Sequence, residues 1–185
     1  MKKSFFLLAF IILFSCGPKY SGSNGEKTQK DAEAEFVGSL TKADQDAVLA
    51  LADEFMGKLQ AGEVEDALDM IHVLYNDVLY KKSASYTADL VQRFRVFPVI
   101  SYERVYYSFS TEGNNDISYS YVFAPASANH SAQTMKLMLN PVYIDGQWYL
   151  TFKDLGQSSK SLPVEKQIHE LAPAPNAPRL NKRPE

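Results

Sequence analysis

Apolar residues recur at helical spacing in two neighbouring stretches of the first half of the chain. The first stretch follows Thr41 and Asp44, which form a variant of the capping box that often begins a helix. Its apolar members are spaced by three or four residues: Val48, Leu51, Ala52, Phe55 and Leu59. Gly62 then interrupts the pattern, and a second series begins: Val64, Ala67, Leu68, Ile71 and Tyr75. The pattern predicts two amphipathic helices that meet at a glycine corner.

Beyond these helices the pattern changes to the alternation that is typical of β-strands. Residues 89–97 fit either a short third helix or a bridging strand, and Pro98 ends any helix there. Asp145-Gly146 is a strong signal for a two-residue hairpin, and residues 113–116 form another turn. The strands predicted around these turns are 101–111, 117–123, 133–144 and 147–154. Together they predict a four-stranded antiparallel meander.

The N-terminus has the pattern of an exported protein. Lys2 and Lys3 precede an apolar run, residues 5–14, which is too short for a membrane span of about 20 residues and fits a signal peptide. The run ends in Leu13-Phe14-Ser15-Cys16, which resembles the bacterial lipoprotein signal. That resemblance implies cleavage before Cys16 and attachment of a diacylglycerol to its sulfur, so that acyl chains anchor the protein in a membrane. The alternative is that Cys16 only lies beside an ordinary secretory cleavage site.

Composition divides the chain into four parts. Residues 1–15 are the predicted signal peptide, and residues 16–42 are the lipidated cysteine with a flexible linker rich in Gly, Ser and charged residues. Residues 43–156 are the predicted folded domain. Residues 157–185 form a tail that holds five of the nine prolines. We therefore expect the fold to occupy only part of the 185 residues.

The overall charge and the few metal-binding residue types exclude several classes of function. The net charge is -3 and the pI is about 5.7, so a broad nucleic-acid-binding surface is not expected. A single cysteine leaves no intramolecular disulfide and no cysteine-built zinc site. With only three scattered histidines, we expect no metal centre and no cofactor.

The predicted order of elements resembles the nuclear transport factor two-like superfamily. The residues that carry the resemblance are the helix–glycine–helix stretch 55–67 and the closing hairpin 145–150. It implies an α+β fold in which N-terminal helices pack on a curved antiparallel sheet of four or more strands. Such a cone-like arrangement leaves a pocket or an open concave face. A cystatin-like fold, with one helix wrapped by a sheet, is the alternative architecture.

Enzymes of that superfamily place an Asp or His beside tyrosines inside the cone, which suits proton abstraction in a dry pocket. Here His72 lies on the predicted second helix, with Tyr75 three residues later. None of these positions matches the family's catalytic residues, so no catalytic residue is assigned. The tyrosines are expected to fill a sheet face with their hydroxyls near water. The candidate binding face comprises Tyr102, Arg104 and Tyr106 on one strand face, Tyr119 and Tyr121 on the next strand, and His72.

These observations favour a non-catalytic binding or accessory module that is held in the bacterial cell envelope by the lipid on Cys16. Its partner would be an envelope protein or a small ligand, and not a nucleic acid. The expected location is the cell membrane or outer membrane, facing the periplasm, with surface exposure left open. Two alternatives remain from the sequence: a small isomerase or dehydratase that uses the cone, and a structural protein of envelope assembly whose tail docks on a partner.

Overall fold

The computed structural model of the protein describes residues 28–153 and 177–180. The predicted signal peptide, the lipidation of Cys16 and most of the proline-rich tail lie outside the described residues. None of the helices in the described ranges is long and apolar enough to cross a membrane.

The described residues form an α+β fold, as predicted. The elements are α1 (Gln29–Ser39), α2 (Lys42–Ala61), α3 (Val64–Asp69), β1 (Ile71–Tyr75), β2 (Val78–Lys81), α4 (Ala84–Val96), β3 (Ser101–Thr111), β4 (Asn114–Ala124), β5 (Gln133–Ile144) and β6 (Gln147–Phe152). The strands form one mixed sheet in the order β2-β1-β6-β5-β4-β3. The predicted meander is confirmed as β3 to β6, and only β1 and β6 pair in parallel.

Helix α2 confirms the first predicted helix at both ends. The backbone N–H of Asp44 donates to the Thr41 hydroxyl at 3.1 Å, and the Asp44 carboxylate accepts from the backbone N–H of Thr41 at 2.9 Å. This reciprocal capping box satisfies donors that a helix otherwise leaves unpaired. Gly62 ends the helix with φ of 80°, a left-handed conformation that glycine adopts without steric cost. The predicted glycine corner is therefore confirmed.

The second predicted helix is only six residues long, so the prediction is wrong beyond Asp69. The chain instead forms the β1–β2 hairpin, and His72 lies on β1 rather than on a helix. The turn residues Asn76 and Asp77 have φ of 47° and 61°. Two consecutive left-handed residues give a turn whose twist matches that of the flanking strands, and Asn and Asp tolerate that conformation. The hairpin therefore adds two strands to the predicted four.

Helix α1 occupies part of the segment that was predicted to be a flexible linker. Thr28 and Asp31 form a second capping box, with the Asp31 carboxylate accepting from the backbone N–H of Thr28 at 3.1 Å. Phe36 is the one buried residue of this helix, and α1 lies beside β3. Local capping and the contacts of the Phe36 ring with Tyr143 and Trp148 thus order a segment whose composition alone favours a linker.

Helix α4 resolves the ambiguous segment around residues 89–97 in favour of a helix. The Ser83 hydroxyl accepts from the backbone N–H of Tyr86 at 3.2 Å and caps its start. Phe97 ends it, directly before Pro98, as the steric restriction on residues that precede proline requires.

The sheet carries apolar side chains on both faces. The main core packs α2, α3 and α4 against one face, and its fully buried members include Phe55, Met56, Leu68, Ile71, Ile117, Tyr119, Leu139 and Leu150. A smaller cluster comprises Leu79, Val142 and Ile144, with Leu74, Tyr149 and Leu180 packed against it. Alternation along the strands places this second cluster on the opposite face. We call the two sides the helix face and the back face.

Candidate functional site

Strand β3 forms one edge of the sheet, and a β-bulge interrupts its pairing with β4. Arg104 lies opposite Tyr119, but the next paired position is Tyr106 opposite Ser118. Val105 is therefore an extra residue on β3 with no partner of its own on β4. Such a bulge shifts the alternation of side chains by one residue.

The bulge changes which predicted residues share a face. Tyr102 and Arg104 point to the helix face, where both contact α2. Tyr106 was predicted to lie on that same face and instead points to the back face, because it pairs opposite Ser118 rather than opposite a core residue. Tyr107, which pairs with the buried Ile117, takes the position on the helix face.

Three of the predicted site residues meet at Asp53 of α2. The Tyr119 hydroxyl donates to Asp53 Oδ1 at 2.6 Å, and Arg104 Nη1 lies 3.1 Å from Oδ2. The Tyr102 hydroxyl donates to the Asp53 carbonyl oxygen at 3.3 Å, and its ring meets that of Tyr119 edge to face at 5.8 Å. We call Asp53, Tyr102, Arg104 and Tyr119 the Asp53 cluster.

The electrostatics of the Asp53 cluster favour a structural tie over proton transfer. Burial raises the pKa of Tyr119, and the adjacent Asp53 carboxylate raises it further, while Arg104 opposes the shift. Tyr119 therefore keeps its proton and donates it to Asp53. Each oxygen of that carboxylate has a partner, the Tyr119 hydroxyl on one and the Arg104 guanidinium on the other, and both partners stabilise its charged form. The cluster joins α2 to β3 and β4.

The exposed part of β3 lies beside this cluster. Five consecutive residues, Glu103 to Tyr107, are exposed, although alternate residues of a strand that covers a core are normally buried. Three of them are large apolar or aromatic residues: Val105 is 50% exposed, Tyr106 54% and Tyr107 48%. The Arg104 guanidinium lies 5.9 Å from the centre of the Tyr107 ring, within cation–π range. We call Arg104, Val105, Tyr106 and Tyr107 the β3 surface.

Two predicted site residues lie elsewhere. Tyr121 shares the helix face with Tyr119, as predicted, but it is buried in the core, where its hydroxyl contacts the Met135 sulfur at 3.1 Å. Burial raises its pKa. His72 lies on β1, which β6 and β5 separate from β4, and its ring meets that of Tyr149 at 5.4 Å on the back face. The structure therefore does not bring these two residues to the β3 surface.

The environment of His72 is apolar and carries positive charge nearby. Its Nδ1 atom is buried, and the backbone of Met70 favours the protonated ring only weakly against the effects of burial. Burial lowers the pKa of His72, and the neighbouring Lys82 and Lys81 lower it further. The neutral ring is favoured, and among residues 28–153 and 177–180 no carboxylate forms an ion pair with it.

Asp53 and Tyr107 are not among the site residues predicted from the sequence. Asp53 lies next to the apolar stripe of α2, and nothing in the helical spacing distinguishes it from other solvated acidic residues. A signal for Tyr107 does exist, because the adjacent pair Tyr106-Tyr107 breaks strict alternation within the strand. A break of this kind is what a bulge produces.

Comparison with protein-family models, with curated proteins and with solved structures finds no match to this chain. Within residues 28–153 and 177–180, no three His, Cys, Asp or Glu side chains come together in a group that could hold a metal ion. The candidate site is therefore defined by the Asp53 cluster and the β3 surface.

Proposed function

We propose that the protein is a membrane-anchored, non-catalytic binding module of the bacterial cell envelope, and that a partner protein binds along the β3 surface. The observation that carries this proposal is the run of exposed apolar and aromatic residues on an edge strand. Tyrosine and arginine are enriched where proteins bind one another, because each combines a large contact area with hydrogen bonding. Val105, Tyr106, Tyr107 and Arg104 supply that combination.

The bulge makes this surface accessible from both sides of the sheet. Tyr106 points to the back face and Tyr107 to the helix face, so a partner that grips the edge of β3 meets an aromatic ring on each side. The engagement of both Asp53 oxygens supports a binding role over the isomerase or dehydratase alternative. The Asp53 cluster then fixes the strand in place, which reduces the ordering that binding would otherwise cost.

The membrane anchor and the finer fold type are part of the same proposal. The lipoprotein-like sequence around Cys16 supports lipidation and a location at the cell or outer membrane. The glycine corner at Gly62 and the hairpin at Asp145-Gly146 support a nuclear transport factor two-like or cystatin-like domain. Anchoring would hold the β3 surface near a membrane, so the partner we propose is another protein of the cell envelope.

Site-specific photocrosslinking in native membranes tests the binding surface. A photoreactive phenylalanine analogue placed at Val105 or Tyr106 is expected to give one discrete crosslinked product. The same analogue at Asp66, which is exposed on α3 and lies on neither edge strand of the sheet, is the matched control and is expected to give none. The product at Val105 should disappear when Tyr106 and Tyr107 are both replaced by Ser. Equal crosslinking at all positions, or none at β3, would contradict the proposal.

The anchor is tested separately. Replacing Cys16 with Ala should abolish labelling by a radioactive or alkyne-tagged fatty acid and release the protein from washed membranes. Undiminished labelling of the variant would overturn the lipidation proposal without affecting the binding surface.

A further inference from the structure

The opposite edge of the sheet, β2, is covered by a short segment from the far end of the chain. Residues 177–180 lie antiparallel to the start of β2, with Arg179 opposite Val78. The backbone N–H of Leu79 donates to the Pro178 carbonyl at 3.0 Å, and the backbone N–H of Leu180 donates to the Asp77 carbonyl at 2.8 Å. The tail thus pairs with this edge of the sheet through an isolated β-bridge.

The side chain of Leu180 fits an apolar site on the back face. It packs against the cluster of Leu79, Val142 and Ile144, together with Leu74. We call these four residues and Gly113 the Leu180 pocket.

Gly113 lines one side of this pocket, and its lack of a side chain leaves room for the leucine. A Cβ atom on Gly113 would lie 2.5 Å from Leu180 Cδ1, closer than real Cβ contacts allow. Gly113 is not among the glycines with positive φ, so its backbone accepts an alanine, and the missing side chain matters for space alone.

The turn that carries Gly113 is fixed independently of the tail. Asn140 Nδ2 donates to the Gly113 carbonyl at 3.1 Å, and the backbone N–H of Tyr143 donates to the Glu112 carbonyl at 2.7 Å. Asn115, which is 1% exposed, binds the carbonyls of Thr111 and Pro141. The pocket is therefore built by β1, β2, β5 and the β3–β4 turn, and the tail only occupies it.

We propose that the β2 edge and the Leu180 pocket form an acceptor site for an extended peptide segment of a partner protein, and that the tail fills this site when the partner is absent. The ligand is an extended peptide segment. One of its carbonyls accepts from the Leu79 N–H, and the residue two positions later is a leucine, as Leu180 follows Pro178 in the tail. Main-chain hydrogen bonds accept many sequences in this mode, and the side-chain pocket selects among them.

The contacts that hold the tail suit an occupant that can be replaced. Two main-chain hydrogen bonds and one partly buried leucine join residues 177–180 to β2 and the pocket. Proline at position 178 costs nothing here, because its carbonyl and not an N–H makes the contact. The tail benefits from being on the same chain, which gives it a high effective concentration that a free peptide must exceed. This site lies at the edge opposite the β3 surface and is independent of the function proposed above.

Peptide binding to full-length variants tests the acceptor site. The probe is a fluorescein-labelled synthetic peptide of residues 174–183, and the readout is fluorescence anisotropy. Leu180→Asp in the protein places a charge against the apolar pocket and should expel the tail. This variant is expected to bind the peptide about tenfold or more tightly than the unaltered protein, in which the tail competes. A peptide with the same Leu180→Asp change is the control and should not bind.

A second variant distinguishes the pocket from unspecific binding. In Leu180→Asp with Gly113→Ala, the added methyl group lies where the end of the leucine side chain packs, so the leucine must shift and peptide affinity should fall. Circular dichroism and the emission of Trp148 check that both variants are folded. Equal affinity of the two variants for the peptide, or no binding to Leu180→Asp, would overturn the proposal. A dimer of the unaltered protein that Leu180→Asp abolishes would also overturn it, because the tail of a second copy would then be the occupant.

Discussion

Replacing Tyr119 with Phe removes a single hydroxyl from the Asp53 cluster and leaves the buried ring in place. The hydroxyl donates to the Asp53 carboxylate at 2.6 Å, and the ring is 0% exposed within the main core. The change therefore separates the hydrogen bond from the packing. If the cluster ties α2 to the sheet, its loss should lower the free energy of unfolding.

The expected loss is about 1–2 kcal/mol. Hydrogen bonds to charged groups contribute about 1.5–3 kcal/mol, but the Asp53 side chain is 44% exposed, so water can replace part of what the hydroxyl supplied. Arg104 continues to pair with the other carboxylate oxygen. Tyr102→Phe is the matched control, because its hydroxyl makes one longer bond of 3.3 Å to a neutral carbonyl. Its loss should stay below about 1 kcal/mol.

Urea unfolding followed by circular dichroism measures both variants near neutral pH. Alkaline pH adds a second readout, because the folded protein holds the Tyr119 proton more tightly than the unfolded chain. The unfolded chain ionises first, so folding stability falls as the pH rises through about 10, the ordinary pKa of tyrosine. Tyr119→Phe should lose less stability there. Equal losses in the Tyr119 and Tyr102 variants near pH 7, with the same alkaline dependence, would refute this interpretation of the cluster.

Three further predictions concern the elements around the site. Phe36→Ala should undock α1 and shift the emission of Trp148, the chain's only tryptophan, to longer wavelength, because the two rings pack at 6.4 Å. His72→Phe should make folding stability fall less as the pH drops through about 6.5. Burial lowers the pKa of His72, so the unfolded chain binds the proton first and acid favours unfolding of the unaltered protein. Urea unfolding at acidic and neutral pH measures the difference. Lys82→Met should cost about 1–3 kcal/mol in thermal melts by removing two bonds to main-chain carbonyls, whereas Lys81→Met, at an exposed position, should cost little.

The parts of the fold that local patterns determine could be predicted from the sequence. Helix α2 has a capping box at Thr41, a regular apolar stripe and a glycine at its end, and all three signals agree. The β5–β6 hairpin follows from Asp145-Gly146, which have φ of 51° and 80°. Such elements need only their own residues to specify them.

The β1–β2 hairpin was missed because two periodicities coincide in the sequence. Ile71 and Tyr75 continue the helical spacing of α3, so the apolar pattern by itself extends the helix. What ends it is the pairing of β1 with β6, a contact between residues about 80 positions apart. Asn76-Asp77 was the one local signal for the turn, and its meaning depends on having strands on either side.

The candidate site shows a similar division between local and distant information. The sequence identified Tyr102, Arg104 and Tyr119 as neighbours on adjacent strands, because strand pairing follows from a meander. It could not supply Asp53, since no local pattern states which side of α2 meets which part of the sheet. The bulge at Val105 then reversed the expected face of Tyr106, because one unpaired residue moves every later side chain to the other side.

The two edges of the sheet differ in a way that bears on both proposals. An unpaired edge strand is a template for another strand. The β2 edge is covered by a segment of its own chain, whereas the β3 edge carries a bulge that disturbs regular pairing. A bulged edge is a poor acceptor for a continuous strand, so binding at β3 should depend on the side chains of Val105, Tyr106 and Tyr107. At β2 the backbone of the acceptor is regular, so binding there should depend on main-chain hydrogen bonds and on the space above Gly113. Side-chain changes at β3 should therefore leave the peptide affinity of β2 intact, and the Gly113 variant should leave crosslinking at β3 intact. A single variant that abolished both would mean that the two edges act as one site.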